Sequence, residues 1–173
     1  DMVAILGQNG SGKTTLAKHF NGLFMPSAGE VTVNQIPTRD QGVFKLGQKV
    51  GYVFQNPDHQ IFSETVFEEV AFSPRLHKMP EEEVKQTVKE ALEAVGLSGC
   101  EELDPFSLTK SGRQRVAVAS ILAAKPEILI LDEPTTGLDY AEQRSMMNMV
   151  RDLNKNGSTI IFVTHHMWVV AEY

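Results

Sequence analysis

The chain is poor in cysteine: Cys100 is the only one among its 173 residues. An internal disulfide is excluded, as is a cysteine-rich metal site, which fits a reducing compartment. Positive charge is also scarce. The formal net charge of −6 argues against a broad nucleic-acid surface, so no nucleic-acid partner is expected. No apolar run approaches the ~20 residues of a membrane-spanning helix, which does not stop the chain from working beside a membrane. No signal-peptide pattern, internal repeat or low-complexity segment is visible. The length suffices for one domain with a real core.

Short runs rich in Val and Ile recur at 2–6, 49–54, 127–131 and 159–163. They read as strands buried on both faces, as in a parallel sheet. Helical patterns lie between them, at 13–23, 65–76, 80–97 and 138–157 and again after Arg113. In the clearest, Pro80 opens the helix, Val84, Val88, Leu92 and Val95 form one stripe, and Gly96 closes it. This alternation predicts an α/β architecture. "DMVAIL" at one end already reads as a strand and "MWVVAEY" at the other as the start of a helix. The expectation is a segment of a longer protein, truncated at both ends, with a risk of unpaired sheet edges.

"GQNGSGKTT" follows the first strand directly. Gly7, Gly12, Lys13 and Thr14 satisfy the phosphate-loop pattern, in which glycines let successive backbone N–H groups turn onto phosphate oxygens. The helix that follows aims its positive dipole end at the same place. Gln8, Asn9, Gly10, Ser11, Gly12, Lys13, Thr14 and Thr15 form the expected nucleotide-binding set. Lys13 reaches the β- and γ-phosphates, and Thr14 ligates Mg²⁺.

"ILILDEP" ends another strand in two acids. Asp132 stands where a phosphate-bound Mg²⁺ needs a carboxylate, and Glu133 is placed to act as general base on water. Asp132 follows Lys13 by 119 residues, whereas one strand–helix–strand crossover takes about 30, so a substantial insertion separates them. His165 follows the last strand, at the edge where ligands of open α/β sheets bind, and can hydrogen-bond a γ-phosphate. His166 should point to the opposite face, which argues against a metal shared by the two histidines. Elsewhere, "SMMNMV" (145–150) reads as core packing and "EEE" (81–83) as a solvated cluster in a helix's first turn. Trp168 reads as packing and Cys100 as a loop bystander.

Taken together, these motifs resemble the nucleotide-binding subunit of ABC transporters over almost the whole chain. "GQNGSGKTT" matches the Walker A loop, "ILILDEP" the Walker B strand with its catalytic Glu133, and "TTGLD" the D-loop, with Asp139 as its acid. Gln55 in "VFQNP" matches the Q-loop glutamine, which in the family touches the metal and its water, and His165 matches the switch histidine. "FQNPDHQIFSETVFEEVAFSP" is similar to energy-coupling-factor ATPases, which drive uptake of vitamins and transition-metal ions; His166 stands where that group usually has Asp.

The resemblance implies a P-loop NTPase fold over 1–173, with a helical subdomain inserted at roughly 57–124. It further implies ATP and Mg²⁺ as cofactors and ATP hydrolysis coupled to transport at the cytoplasmic face of the membrane. The implied partners are a second ATPase subunit or half and transmembrane subunits. In the family, the aromatic that stacks on adenine lies upstream of Asp1 and the closing strands lie beyond Tyr173. Two alternatives stay open: a soluble ABC-type ATPase not tied to transport, and an ATP-binding regulatory half with low turnover.

One departure stands out. The family signature L-S-G-G-Q aligns with Leu108, Thr109, Lys110, Ser111 and Gly112. Thr109 keeps the hydroxyl, whereas Lys110 and Ser111 replace glycines and Gly112 replaces the glutamine. In the family this segment caps the γ-phosphate held by a partner's Walker A loop, and the glycines permit close backbone approach. "LTKSGRQR" also reads as a plain capped helix start, with Thr109 or Ser111 as N-cap. The departed signature, together with an otherwise intact catalytic set, implies a heterodimer or a tandem chain.

Overall fold

The computed structural model describes residues 1–173. Its central sheet contains β1 (Met2–Leu6), β4 (Val50–Val53), β5 (Ile128–Asp132) and β6 (Thr159–Thr164). The strand order is β1-β6-β5-β4 and every pairing is parallel, as the unbroken apolar runs predict. Leu129, Ile130 and Leu131 are all buried, so β5 is covered on both faces. Full burial stabilises each such side chain by about 1.5–3 kcal/mol. The register pairs Leu6 with Thr164, Asp132 with Val163, and Val53 with Leu131. All four strands therefore end along one edge.

Helix α1 (Lys13–Phe20) leaves that edge after β1. A two-stranded hairpin, β2 (Thr32–Val33) with β3 (Ile36–Pro37), and two short helices, α2 (Thr38–Gln41) and α3 (Val43–Lys49), lead into β4. Between β4 and β5 come α4 (Val66–Leu76), α5 (Glu81–Ala94) and α6 (Lys110–Leu122). The expected stripe Val84, Val88, Leu92 and Val95 is buried. It belongs to the same continuous core as Val70 of α4, Val116 of α6, and Leu129 and Leu131 of β5. Helix α7 (Tyr140–Lys155) buries Met146, Met147 and Met149 in that core, and α8 (Met167–Glu172) follows β6. Glu81, Glu82 and Glu83 occupy the first turn of α5, where they match the helix dipole.

Helix α6 starts after Thr109, the earlier of the two expected caps, ahead of the apolar pattern that follows Arg113. The Thr109 side chain accepts the N–H of Gly112 at 3.2 Å and caps the helix, so its first turn includes Lys110, Ser111 and Gly112. Against β4, α6 approaches closely because residue 51 is glycine. A Cβ there would collide with Ile121 Cγ2 and press on Pro126.

The loop after β4, which carries Gln55, is tied to α6 by side chains. Gln60 accepts the Phe54 N–H at 3.2 Å and donates to Ala117 O at 2.9 Å and Ser120 Oγ at 3.2 Å. Arg113 pairs with Asp58 at 2.6 Å and also donates to Leu108 O at 2.7 Å. Because Gln60 satisfies backbone groups of two separate elements, Gln60→Ala should destabilise the fold by about 1–3 kcal/mol. Denaturant unfolding of the two proteins measures the difference, and an unchanged midpoint would show that water replaces the amide.

Candidate active site

The phosphate loop runs from β1 into α1. Gly10 and Gly12 adopt φ of 80° and 90°, a left-handed backbone that a Cβ would strain. The Lys13 ammonium is anchored at 2.9 Å to Gly7 O and 3.0 Å to Gln8 O, and lies 3.7 Å from Glu133 Oε1. The Ser11 N–H closes the turn on Gln8 O at 3.2 Å.

Asp132 and Glu133 leave β5 in different environments. Asp132 is almost fully buried. Its Oδ1 accepts the Thr14 hydroxyl at 3.0 Å and its Oδ2 accepts the Tyr52 hydroxyl at 2.7 Å. Burial, and then the bond to Asp132, push the Tyr52 phenol well above its usual pKa, so it stays protonated and donates. Glu133 adopts φ of 48°, a conformation that costs about 1–3 kcal/mol for a residue with a side chain. Two backbone bonds hold it there: its N–H donates to Val163 O at 3.0 Å, and its carbonyl accepts the Thr136 N–H at 3.1 Å.

The Glu133 carboxylate collects donors. Thr136 Oγ1 donates to Oε2 at 2.9 Å, and Gln55 Nε2 reaches the same oxygen at 3.4 Å. His165 Nδ1 is 3.1 Å from Oε2 but lacks hydrogen-bond alignment. His166 does not point to the opposite face. Its ring stacks on that of His165 with centroids 4.1 Å apart, because β6 ends at Thr164 and strand alternation ends with it. Burial, and then the neighbouring His165, hold the His166 pKa below its usual value, with Glu133 opposing.

These groups converge on one cavity of about 540 Å³, lined by Asn9, Gly10, Gly12, Lys13, Thr14, Thr15, Gln55, Glu133, Thr136 and His165. No lining residue is apolar, which suits a strongly hydrated polyanion better than an apolar ligand. Of the expected set, Gln8 and Ser11 shape the turn without lining the cavity, and Asp132 sits behind Thr14. Tyr52 and Thr136 were not legible as site residues, since a Tyr inside an apolar strand reads as core.

The signature residues lie apart from this cavity. Thr109 is exposed, Ser111 is buried in α6, and the Lys110 ammonium packs over Gly137 of "TTGLD". Asp139 caps α7: its carboxylate accepts the Glu142 N–H at 2.8 Å, and Glu142 accepts the Asp139 N–H in return. Of the phenylalanines in 56–72, Phe62 and Phe72 are exposed and meet edge to face with centroids 4.9 Å apart, whereas Phe67 packs on the core.

Known proteins share this chain's sequence and fold. The family model described as ABC transporter matches residues 1–136, and one described as an AAA domain matches residues 102–171. A Caldanaerobacter subterraneus protein named as an ABC transporter ATP-binding protein is 60% identical over all of this chain, which spans 30% of that relative. The energy-coupling factor transporter ATP-binding protein EcfA of Methanocaldococcus jannaschii is 47% identical over all of this chain, which spans 63% of it. Among solved structures, CbiO1 of Clostridium perfringens, part of the transporter complex CbiONQ, matches with a TM-score of 0.91 and 38% identity, over 98% of this chain and 69% of that one. A dimeric ATP-binding cassette bound to ADP and Pi matches with a TM-score of 0.83 and 33% identity, over 98% of this chain and 76% of that one. By fold, by site and by these likenesses, the chain belongs to the ABC transporter family, within its ATP-binding domain.

Proposed function

We propose that this chain is the catalytic part of an ATPase that powers a membrane transporter, of the energy-coupling-factor type that imports vitamins or transition-metal ions. The observation that carries the reading is the convergence of Lys13, Thr14, Gln55, Glu133 and His165 on one cavity with no apolar wall. The likeness to EcfA and CbiO1 supports the transport subtype. No helix is long and apolar enough to cross a membrane, which suits a peripheral subunit at the cytoplasmic face. Residues 57–124, which hold α4, α5 and α6, form the inserted helical subdomain.

The roles follow from chemistry. Backbone N–H groups of the loop and the Lys13 ammonium hold the phosphates of ATP. The Thr14 hydroxyl and the Asp132 carboxylate are hard oxygen donors set side by side, a set that fits Mg²⁺, which takes one or two carboxylates and completes its shell with phosphate and water. Mg²⁺ there would neutralise charge on the phosphate oxygens, and the Gln55 side-chain oxygen would be a further donor to hold it. Glu133 accepts the proton of the attacking water, and Gln55 and Thr136 fix the direction of its carboxylate. His165 donates to the γ-phosphate. Replacing Lys13 by Ala removes one charged hydrogen-bond donor. ATP affinity should fall about 10- to 100-fold, and a titration of the full-length protein showing unchanged affinity overturns this assignment.

Exposed Phe62 and Phe72 supply a docking surface for the transmembrane subunits. The buried Glu69 carboxylate accepts the N–H groups of Phe62 and Ser63, each at 3.0 Å, and so fixes the loop that presents Phe62. Single cysteines placed at 56–72 should cross-link to a transmembrane subunit. With Cys100 the only natural thiol of the chain, background from this segment is low, and uniform failure in a working transporter counts against the docking face.

The cassettes of the assembly are unequal. A composite site takes its Walker A loop from one cassette and its signature from the other. "LTKSG" therefore impairs the site opposite and leaves this chain's own acids intact. A relative of which this chain is 30% has room for a second cassette. Glu133→Gln should remove most turnover, since a general base contributes about 10²–10⁴-fold, whereas the matching change in the other cassette should cost far less. Equal losses in the assembled transporter would refute the asymmetry.

A further inference from the structure

Tyr52 has no part in the reading so far, yet its hydroxyl ends on the most deeply buried acid of the site. The ring belongs to a small core cluster with Ala17 of α1, Val50 of β4, Ile130 of β5 and Val163 of β6. Only the oxygen leaves that cluster, and it donates to Asp132 Oδ2 at 2.7 Å. The other carboxylate oxygen is taken by Thr14 at 3.0 Å. Asp132 is 2% exposed and Tyr52 5%, so water is a poor substitute for the Tyr52 hydroxyl.

We propose that Tyr52 is a positioning residue for the metal: its hydroxyl fixes the plane of the Asp132 carboxylate so that the oxygen beside Thr14 meets Mg²⁺. This rests on the reading that Thr14 and Asp132 hold Mg²⁺ with the nucleotide. A carboxylate held only at Oδ1 can still turn about its terminal bond, because that torsion is soft. A second donor on Oδ2, mounted on a ring that cannot move without repacking four elements, removes the freedom. Outer-shell partners of this kind are worth about 10- to 100-fold in metal affinity. A hydrogen bond to Oδ2 also draws charge from the carboxylate, which alone would weaken metal binding. The two effects oppose each other, and orientation dominates because Oδ1 is the oxygen shared with the hydroxyl ligand.

The test uses the full-length protein and Tyr52→Phe, which keeps the ring and removes one oxygen. Mn²⁺, an oxygen-seeking stand-in for Mg²⁺, is titrated by electron paramagnetic resonance in the presence of ATP. ATP binding without metal and thermal unfolding are measured alongside. The expected result is Mn²⁺ affinity lower by about 10-fold or more, with metal-free ATP affinity preserved. Unchanged or tighter Mn²⁺ binding overturns the inference. So does an equal loss of ATP affinity with and without metal, or failure to fold, since each marks a structural role. If the parental protein itself binds no ATP, the nucleotide reading falls as well. If the parental protein binds normally and only the variant shift is missing, Tyr52 alone is misassigned.

Discussion

The structure turns on the Asp132 carboxylate. It sits at the end of a strand covered on both faces and receives one hydroxyl from the helix after β1 and one from β4. Those two bonds join three elements that are far apart in sequence. A buried carboxylate without partners would be very costly, because desolvation of a charge outweighs most packing gains. The same acid that would ligate a cation therefore also locks the phosphate-loop helix to the sheet. Parallel register makes this possible, because it brings every strand's carboxyl end to one edge, where loops carrying Lys13, Gln55, Glu133 and His165 meet.

Glu133 shows the opposite economy. Its neighbour is secured by two side-chain hydroxyls, whereas Glu133, also buried, is secured by backbone bonds that hold a left-handed conformation. The turn aims the carboxylate back over the phosphate loop, towards Lys13 and His165. A regular continuation of β5 would direct residue 133 to the other face. Local strain of this kind persists only when surrounding structure over-determines it, and here the β6 carbonyl of Val163 and the N–H of Thr136 do so.

Much of this was legible in the sequence because the relevant signals are local. Gly7 through Thr15 form one contiguous motif after an apolar run, and Asp132 with Glu133 terminates another. The Val84, Val88, Leu92 and Val95 stripe declares its buried face by spacing alone. What was hidden depends on distance or brevity. Two-residue strands at Thr32–Val33 and Ile36–Pro37 are too short for any period to appear. Tyr52 and Gln60 reach partners 80 and 57 residues away, at Asp132 and Ala117, and no local pattern marks such a pair. His166 was misplaced because the strand rule was extended two residues past the strand.

The loop holding Gln55 joins the polar cavity to helix α6. On one side Gln55 touches Glu133. On the other, Gln60 and Asp58 are bonded to Ala117, Ser120 and Arg113 of the helix whose first turn carries Lys110, Ser111 and Gly112. A shift of the Gln55 loop therefore cannot leave α6 behind without breaking several bonds, two of them to a single side chain. The start of α6 is capped by Thr109 and leans on Gly137 through Lys110, so movement would carry the departed signature and the "TTGLD" turn together. The cavity that holds Lys13 and Glu133 is thus mechanically linked to the start of α6. The departures in "LTKSG" alter the side chains at the start of that helix, while the bonds that tie it to the Gln55 loop remain in place.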